Sequence, residues 1–146
     1  MQNGKHKIGI DSGFFMSWLI TFIFLYAISY TWHGVLLNDL SRVTYPIEMF
    51  LLFVAVVYFV VAFGLNLLIL LFPYIESKAL KGLTIGAAAG VFIYLIAFVF
   101  GISFYSNQTL SHILFDLSWQ VVEQASAGFV AGGLLSMFAM AKKHAH

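Results

Sequence analysis

His112, Asp116, Gln120 and Glu123 follow one another at spacings of four, four and three, so on an α-helix they share one face as a single polar stripe. An imidazole, two carboxylates and an amide so placed suit cation ligation, proton exchange or hydrogen bonding to a polar ligand. The surrounding chain is 62% hydrophobic and only 9% charged. Ionisable groups close to a hydrocarbon layer are costly, so each one calls for a functional reason. A second polar set comes from elsewhere in the chain: His33, Asn38 and Asp39 close the first apolar run, and Arg42 and Glu48 flank the start of the second. The candidate ligand-binding residues are therefore His33, Asp39, Glu48, His112, Asp116, Gln120 and Glu123.

Magnitudes narrow the chemistry. His112 and Asp116, four apart, can share an ion, but His112 and Glu123 lie about 16 Å apart along a straight helix. Metal ligands lie only about 2 Å from the ion, so the whole stripe does not chelate one metal. A metal site would draw on His33, His112 and Asp116, completed by Asp39 or Glu48. The chain has no cysteine, which excludes thiolate zinc, iron–sulfur ligation and disulfide exchange. For haem, His33 and His112 are the available histidines outside the tails, and both fall near a rim; the sequence requires no cofactor. Paired carboxylates at a lipid interface can do acid–base work, but the chain shows no nucleophile–base pair and no metal motif, so an enzyme is the less favoured reading.

The elements that position these residues follow from composition. A charged fraction of 9% with mean hydropathy +0.95 lies far from soluble domains, where about 25% charged is ordinary. Four runs approach the 20 or so apolar residues that a hydrocarbon core requires, at about 14–35, 47–72, 83–104 and 121–141. A lipid-exposed backbone must satisfy its own hydrogen bonds, so the expected fold is all-α, an integral membrane four-helix bundle in one domain, 1–146. Pro46 and Pro73 bracket the second run, where a missing N–H is tolerated. Thr109 or Ser111 can cap the helix that follows the short third loop. The first run has a basic start and an Ala27-Ile28-Ser29 tripeptide suggestive of signal cleavage, but it exceeds the usual h-region, so an uncleaved anchor is expected.

Lysines set the orientation. Lys5, Lys7, Lys78, Lys81, Lys142 and Lys143 flank one side, while the first loop offers Arg42 and the third loop has no lysine or arginine. Both termini are therefore expected to be cytoplasmic, in a bacterial cytoplasmic membrane. Aromatic belts agree, with Trp18 and Tyr74 inside and Trp32, Tyr45, Tyr105 and Trp119 outside. Counting about 1.5 Å per residue back from Lys142 puts Glu123 roughly 28 Å away, near the outer interface. Residues 109–120 then form an amphipathic interfacial segment before the fourth span, with Leu110, Ile113, Leu114, Leu117 and Val121 opposite the polar stripe. The plain reading of such a stripe is a solvated face. The sharper reading is that it meets His33, Asp39 or Glu48 in one outer-face site.

Small residues point to helix contacts. Gly82, Gly86 and Gly90 recur every four positions, as do Gly128, Gly132 and Ser136. Such ladders allow backbones to approach closely in lipid, here between the third and fourth spans or in a homodimer. Depth counting matches Gly90 with Gly132. Asn66 reads as an interhelical hydrogen-bond donor.

Three functions are consistent with this layout. The first is binding or helping to transport a cation or small polar ligand through an outer-face polar site. The second is a structural or regulatory subunit of a membrane complex, and the third an interfacial enzyme using the outer carboxylates. The expected partners are the lipid bilayer and a second copy or complex subunit. A net charge of +1 without basic clusters argues against nucleic acid. In length and layout the chain resembles the small four-span bacterial membrane proteins of unknown function. Trp32-His33-Gly34-Val35-Leu36-Leu37-Asn38-Asp39 and Asp116-Leu117-Ser118-Trp119-Gln120-Val121-Val122-Glu123-Gln124 are the segments that would identify a relative. The resemblance implies a four-span layout and no particular activity. Lipoprotein signal peptidases are also small four-span proteins, but their asparagine and aspartate motifs are absent here. Small multidrug exporters use a glutamate within the first span, which this chain lacks.

Overall fold

The computed structural model describes residues 10–42, 44, 46–72, 77–102 and 109–144, with the backbone alone at 39, 42 and 100–102. Lys5, Lys7, Tyr45, Pro73, Tyr74, Glu76, Tyr105 and the loop residues Ser106, Asn107 and Gln108 lie outside the described residues. Helix α1, Ser12–Ser29, starts where the Asp11 carboxylate accepts the Phe14 N–H at 3.1 Å, an ordinary acidic N-cap. It continues directly into a π-helical segment, Tyr30–Leu36, whose wide turn closes with the Leu37 N–H donating to the Trp32 carbonyl at 2.9 Å. Asn38 then turns the chain with φ of 53°, a left-handed conformation that Asn tolerates better than most residues. A short 3-10 helix, Asp39–Arg42, leads to α2, Ile47–Leu71, just after Pro46.

Helix α3, Lys78–Ile102, and helix α4, Leu110–His144, are both longer than hydropathy alone suggests. At the start of α3, Lys78 extends its ammonium toward the Leu135 carbonyl at 3.5 Å, so the helix begins before its apolar run does. The start of α4 is capped by Thr109, whose hydroxyl accepts the His112 N–H at 3.5 Å. The segment expected as a separate interfacial helix is instead the first stretch of one unbroken 35-residue helix. Neither glycine nor proline lies between Leu110 and Ala127 to interrupt it.

Helices α3 and α4 pack backbone to backbone in an antiparallel register. Gly82 lies against Gly128, Gly86 against Gln124, Gly90 against Gln120, and Gly132 against Lys78. Each of these pairs has the same summed residue number, as a straight antiparallel pair requires. Gly132 thus meets the start of α3 and not Gly90, a shift from the depth-counted match. The shift arises because α4 runs on from Gly133 to His144 past the first residue of α3. Helices α1 and α2 cover the other side of α4 through two apolar clusters, one of Phe14, Ile69, Ala131 and Leu135, the other of Leu25, Leu65 and Ala127. Asp11 and Lys142 pair across one end at 3.2 Å.

Among the described residues, four helices are long and apolar enough to cross a membrane. Leu52, Phe53, Phe92 and Val99 are among many large apolar side chains that point outward. An outer surface this apolar suits lipid and not water. These features suggest a multi-pass membrane protein.

A buried carboxylate between α1, α2 and α4

The polar stripe on α4 divides as it enters the bundle. His112 and Asp116 are exposed, Gln120 is half-buried, and Glu123 is 0% exposed. The solvated-face expectation therefore fails at Glu123, because α1 and α2 close over it. Glu123 faces Tyr58, near the middle of α2, and its neighbour Gln124 meets Gly86, well inside α3.

The cover over Glu123 comes mainly from α1. Ser17, Thr21, Leu25, Ser29 and His33 recur every four residues, and the first four are buried. They form an inward stripe that is polar at four of its five positions. Of this set His33 alone is among the sequence candidates, although the four-residue spacing is legible in the chain. The π-helical segment carries the stripe to His33, which lies on the side of Glu123. The same segment stacks Trp32 on Trp119 of α4, ring centroids 3.7 Å apart and planes within 10°. Such wide turns are concentrated at functional sites.

Around Glu123 the hydrogen bonding is incomplete. The hydroxyls of Ser29 and Tyr58 are bonded to each other at 2.6 Å. They and the Trp119 indole N–H flank the carboxylate, yet neither Glu123 oxygen has a partner with hydrogen-bond geometry. Trp119 Nε1, both polar atoms of the Gln124 amide and the Thr21 hydroxyl are buried and unpaired as well. Buried polar atoms are satisfied in the great majority of cases, so several orphans in one region make it a candidate site. The next polar group is satisfied by contrast. Ser17 donates to Asn66 Oδ1 at 2.6 Å and approaches the Ala131 carbonyl at 3.2 Å, while the Asn66 amide donates to Ala62 of its own helix. Across helices Asn66 is thus an acceptor, the reverse of the expected polarity.

A cavity of about 230 Å³ opens between the end of α1, the π-helical segment and the first half of α2. Tyr26, Tyr30, Phe50, His33, Ser29 and Tyr58 are among the residues that line it. Ser29 and Tyr58 therefore stand between the cavity and Glu123.

The remaining sequence candidates lie apart from this centre. Glu48 is exposed in the first turn of α2, about 15 Å along the helix from Tyr58. His112 bonds through Nδ1 to the Thr109 hydroxyl at 3.0 Å, in the first turn of α4. The side chain of Asp39 lies outside the described residues. Among the described residues no three His, Cys, Asp or Glu side chains converge as a metal site would need, so His112 and Asp116, one turn apart on α4, have no third such ligand beside them. Of the outer-rim set, the structure brings together His33 and Glu123, and it adds Ser29, Tyr58, Trp119 and Gln124. Compared with known protein families, curated proteins and solved structures, the chain matches none.

Proposed function

We propose that this chain is a polytopic membrane protein, both termini cytoplasmic, that binds a cation at Glu123 and helps move it across the bilayer. One observation carries the reading: a carboxylate 0% exposed, near the middle of two flanking helices, with neither oxygen hydrogen-bonded. A bare carboxylate in such a place is expensive, and a bound cation is what would offset the cost. The cavity against Ser29 and Tyr58 supplies a path from the face where His33 lies. On this reading the first turns of α4, bearing His112 and Asp116, sit at the outer surface and contribute little to binding. Because the glycine ladders are occupied between α3 and α4, a homodimer or larger complex would have to use other surfaces.

The test is ion flux in reconstituted vesicles, measured separately for protons, sodium and a potassium tracer. Wild-type protein should carry at least one of the three above the protein-free rate, Glu123→Gln should abolish that flux, and Asp116→Asn should leave it intact. Equal flux in wild type and Glu123→Gln for all three ions would refute the proposal.

A further inference from the structure

Which cation reaches Glu123 depends on what stands in front of it. The Ser29–Tyr58 hydroxyl pair, 2.6 Å between oxygens, lines the cavity on one side and flanks the carboxylate on the other. Glu123 is not itself exposed to the cavity. A metal ion or an organic ammonium entering the cavity meets a closed pair of hydroxyls and would have to part them. A proton needs no gap, because hydroxyl groups pass it by exchanging O–H bonds.

Resting on the cation site proposed above, we infer that the ion taken by Glu123 is the proton, handed from the cavity through the Ser29 and Tyr58 hydroxyls. A hydronium ion in the cavity gives a proton to the Ser29 oxygen and is left as water, Ser29 gives its own to the Tyr58 oxygen, and the Tyr58 hydroxyl, turned from Ser29 toward the carboxylate, gives its own to a Glu123 oxygen. Each O–H bond broken is matched by one formed, both hydroxyls end as they began, and the net change is one hydronium converted to water and one carboxylate to a carboxylic acid. The titratable groups facing Glu123 are His33 from the π-helical segment and Tyr58 from α2. At this level α4 supplies Trp119 and Gln124, which do not titrate, and α3 supplies Gly86 and Gly90. On the far side, Leu25, Leu65 and Ala127 pack between Glu123 and the Ser17–Asn66 pair. That apolar cluster separates the two polar regions, so in this arrangement Glu123 exchanges protons with the cavity side, and release to the opposite side requires the cluster to part.

The experiment uses the full chain in phosphatidylcholine–phosphatidylglycerol vesicles, with a trapped pH dye reporting proton uptake under an imposed potassium diffusion potential. Wild type should acidify the lumen, Glu123→Gln should fall to the protein-free rate, and Tyr58→Phe or Ser29→Ala should slow uptake by about 100-fold. If sodium or potassium tracer flux depends on Glu123 while the dye stays silent, the proton inference fails and the cation site stands. If no flux distinguishes wild type from Glu123→Gln, both fall. Wild-type uptake in both Tyr58→Phe and Ser29→Ala, with Glu123→Gln inactive, would overturn the relay. Infrared spectroscopy in detergent provides a readout independent of reconstitution. A carboxylic-acid C=O band that titrates in wild type should be missing in Glu123→Gln, and its presence there would also overturn the assignment.

Discussion

Replacing Gly86 by alanine tests whether the α3–α4 contact is as close as the structure shows. A methyl group built at Gly86 overlaps the Gln124 carbonyl oxygen and lies 2.8 Å from its carbon and 2.9 Å from the Ala125 Cα. All three atoms belong to backbone, so no rotamer change relieves the contact, and the helices must part by about 1 Å to reach ordinary van der Waals distance. Overpacking of this kind costs about 1–3 kcal/mol. A gap of about 1 Å forfeits up to about half of the local dispersion energy along the seam, which favours the upper end of that range. At 1.4 kcal/mol per decade, about 3 kcal/mol lowers the folded-to-unfolded ratio roughly 100-fold. The measurement is reversible unfolding by an ionic detergent titrated into a mild one, followed by circular dichroism. Gly64→Ala and Gly133→Ala are the internal controls, since a methyl group at either position meets nothing within 4 Å. Both should remain within about 0.5 kcal/mol of wild type. If Gly86→Ala proves no less stable than Gly64→Ala, the backbone-to-backbone packing of α3 on α4 is wrong.

Two other predictions concern the two ends of the bundle. The carboxyl of Asp11 is held below the usual carboxylate range chiefly by the Phe14 N–H; burial opposes this, and Lys142 and the Gly13 N–H add to the lowering. A lowered folded-state value means that its contribution is complete above the ordinary carboxylate pKa and is lost as pH falls through the lowered one. Asp11→Ala should cost about 1 kcal/mol at neutral pH, mostly through the lost cap, and the difference from wild type should vanish in strong acid; a pH-independent difference would contradict it. The Trp32–Trp119 stack should give coupled near-ultraviolet circular dichroism, lost equally in Trp32→Phe and Trp119→Phe and retained in Trp18→Phe. A signal that survives either of the first two would show that the rings are not stacked.

Much of this architecture is legible in the sequence, because lipid and water impose opposite demands on side chains. Apolar runs of the required length locate the four helices, and Gly82, Gly86, Gly128 and Gly132 mark the faces on which α3 and α4 meet. Helix ends are less legible, since the apolar runs stop at Lys81 and Gln120 while backbone hydrogen bonding carries the helices on to Lys78 and Leu110. The site is legible by halves. Spacing puts His112, Asp116, Gln120 and Glu123 on one face, but which of them is covered depends on a neighbouring helix, and single-chain periodicity does not name that neighbour. The covering stripe Ser17, Thr21, Ser29 and His33 has the same four-residue spacing, hidden among aromatic and aliphatic residues with which small hydroxyls mix easily in a span. The π-helical turn that brings His33 and Trp32 to α4 leaves no composition signal in Tyr30–Leu36.

The glycine seam has a mechanical consequence. With carbonyls of one helix seated against glycines of the other from Lys78 to Gly90, α3 and α4 interlock, so that neither can slide along the other without collision. Where α1 and α2 meet α4, apolar side chains make the contact, and that face resists displacement less. Glu123 belongs to the interlocked pair, while Ser29, His33 and Tyr58 belong to the layer laid over it. The carboxylate is thus anchored in the stiffer half of the bundle and its cover in the more compliant half.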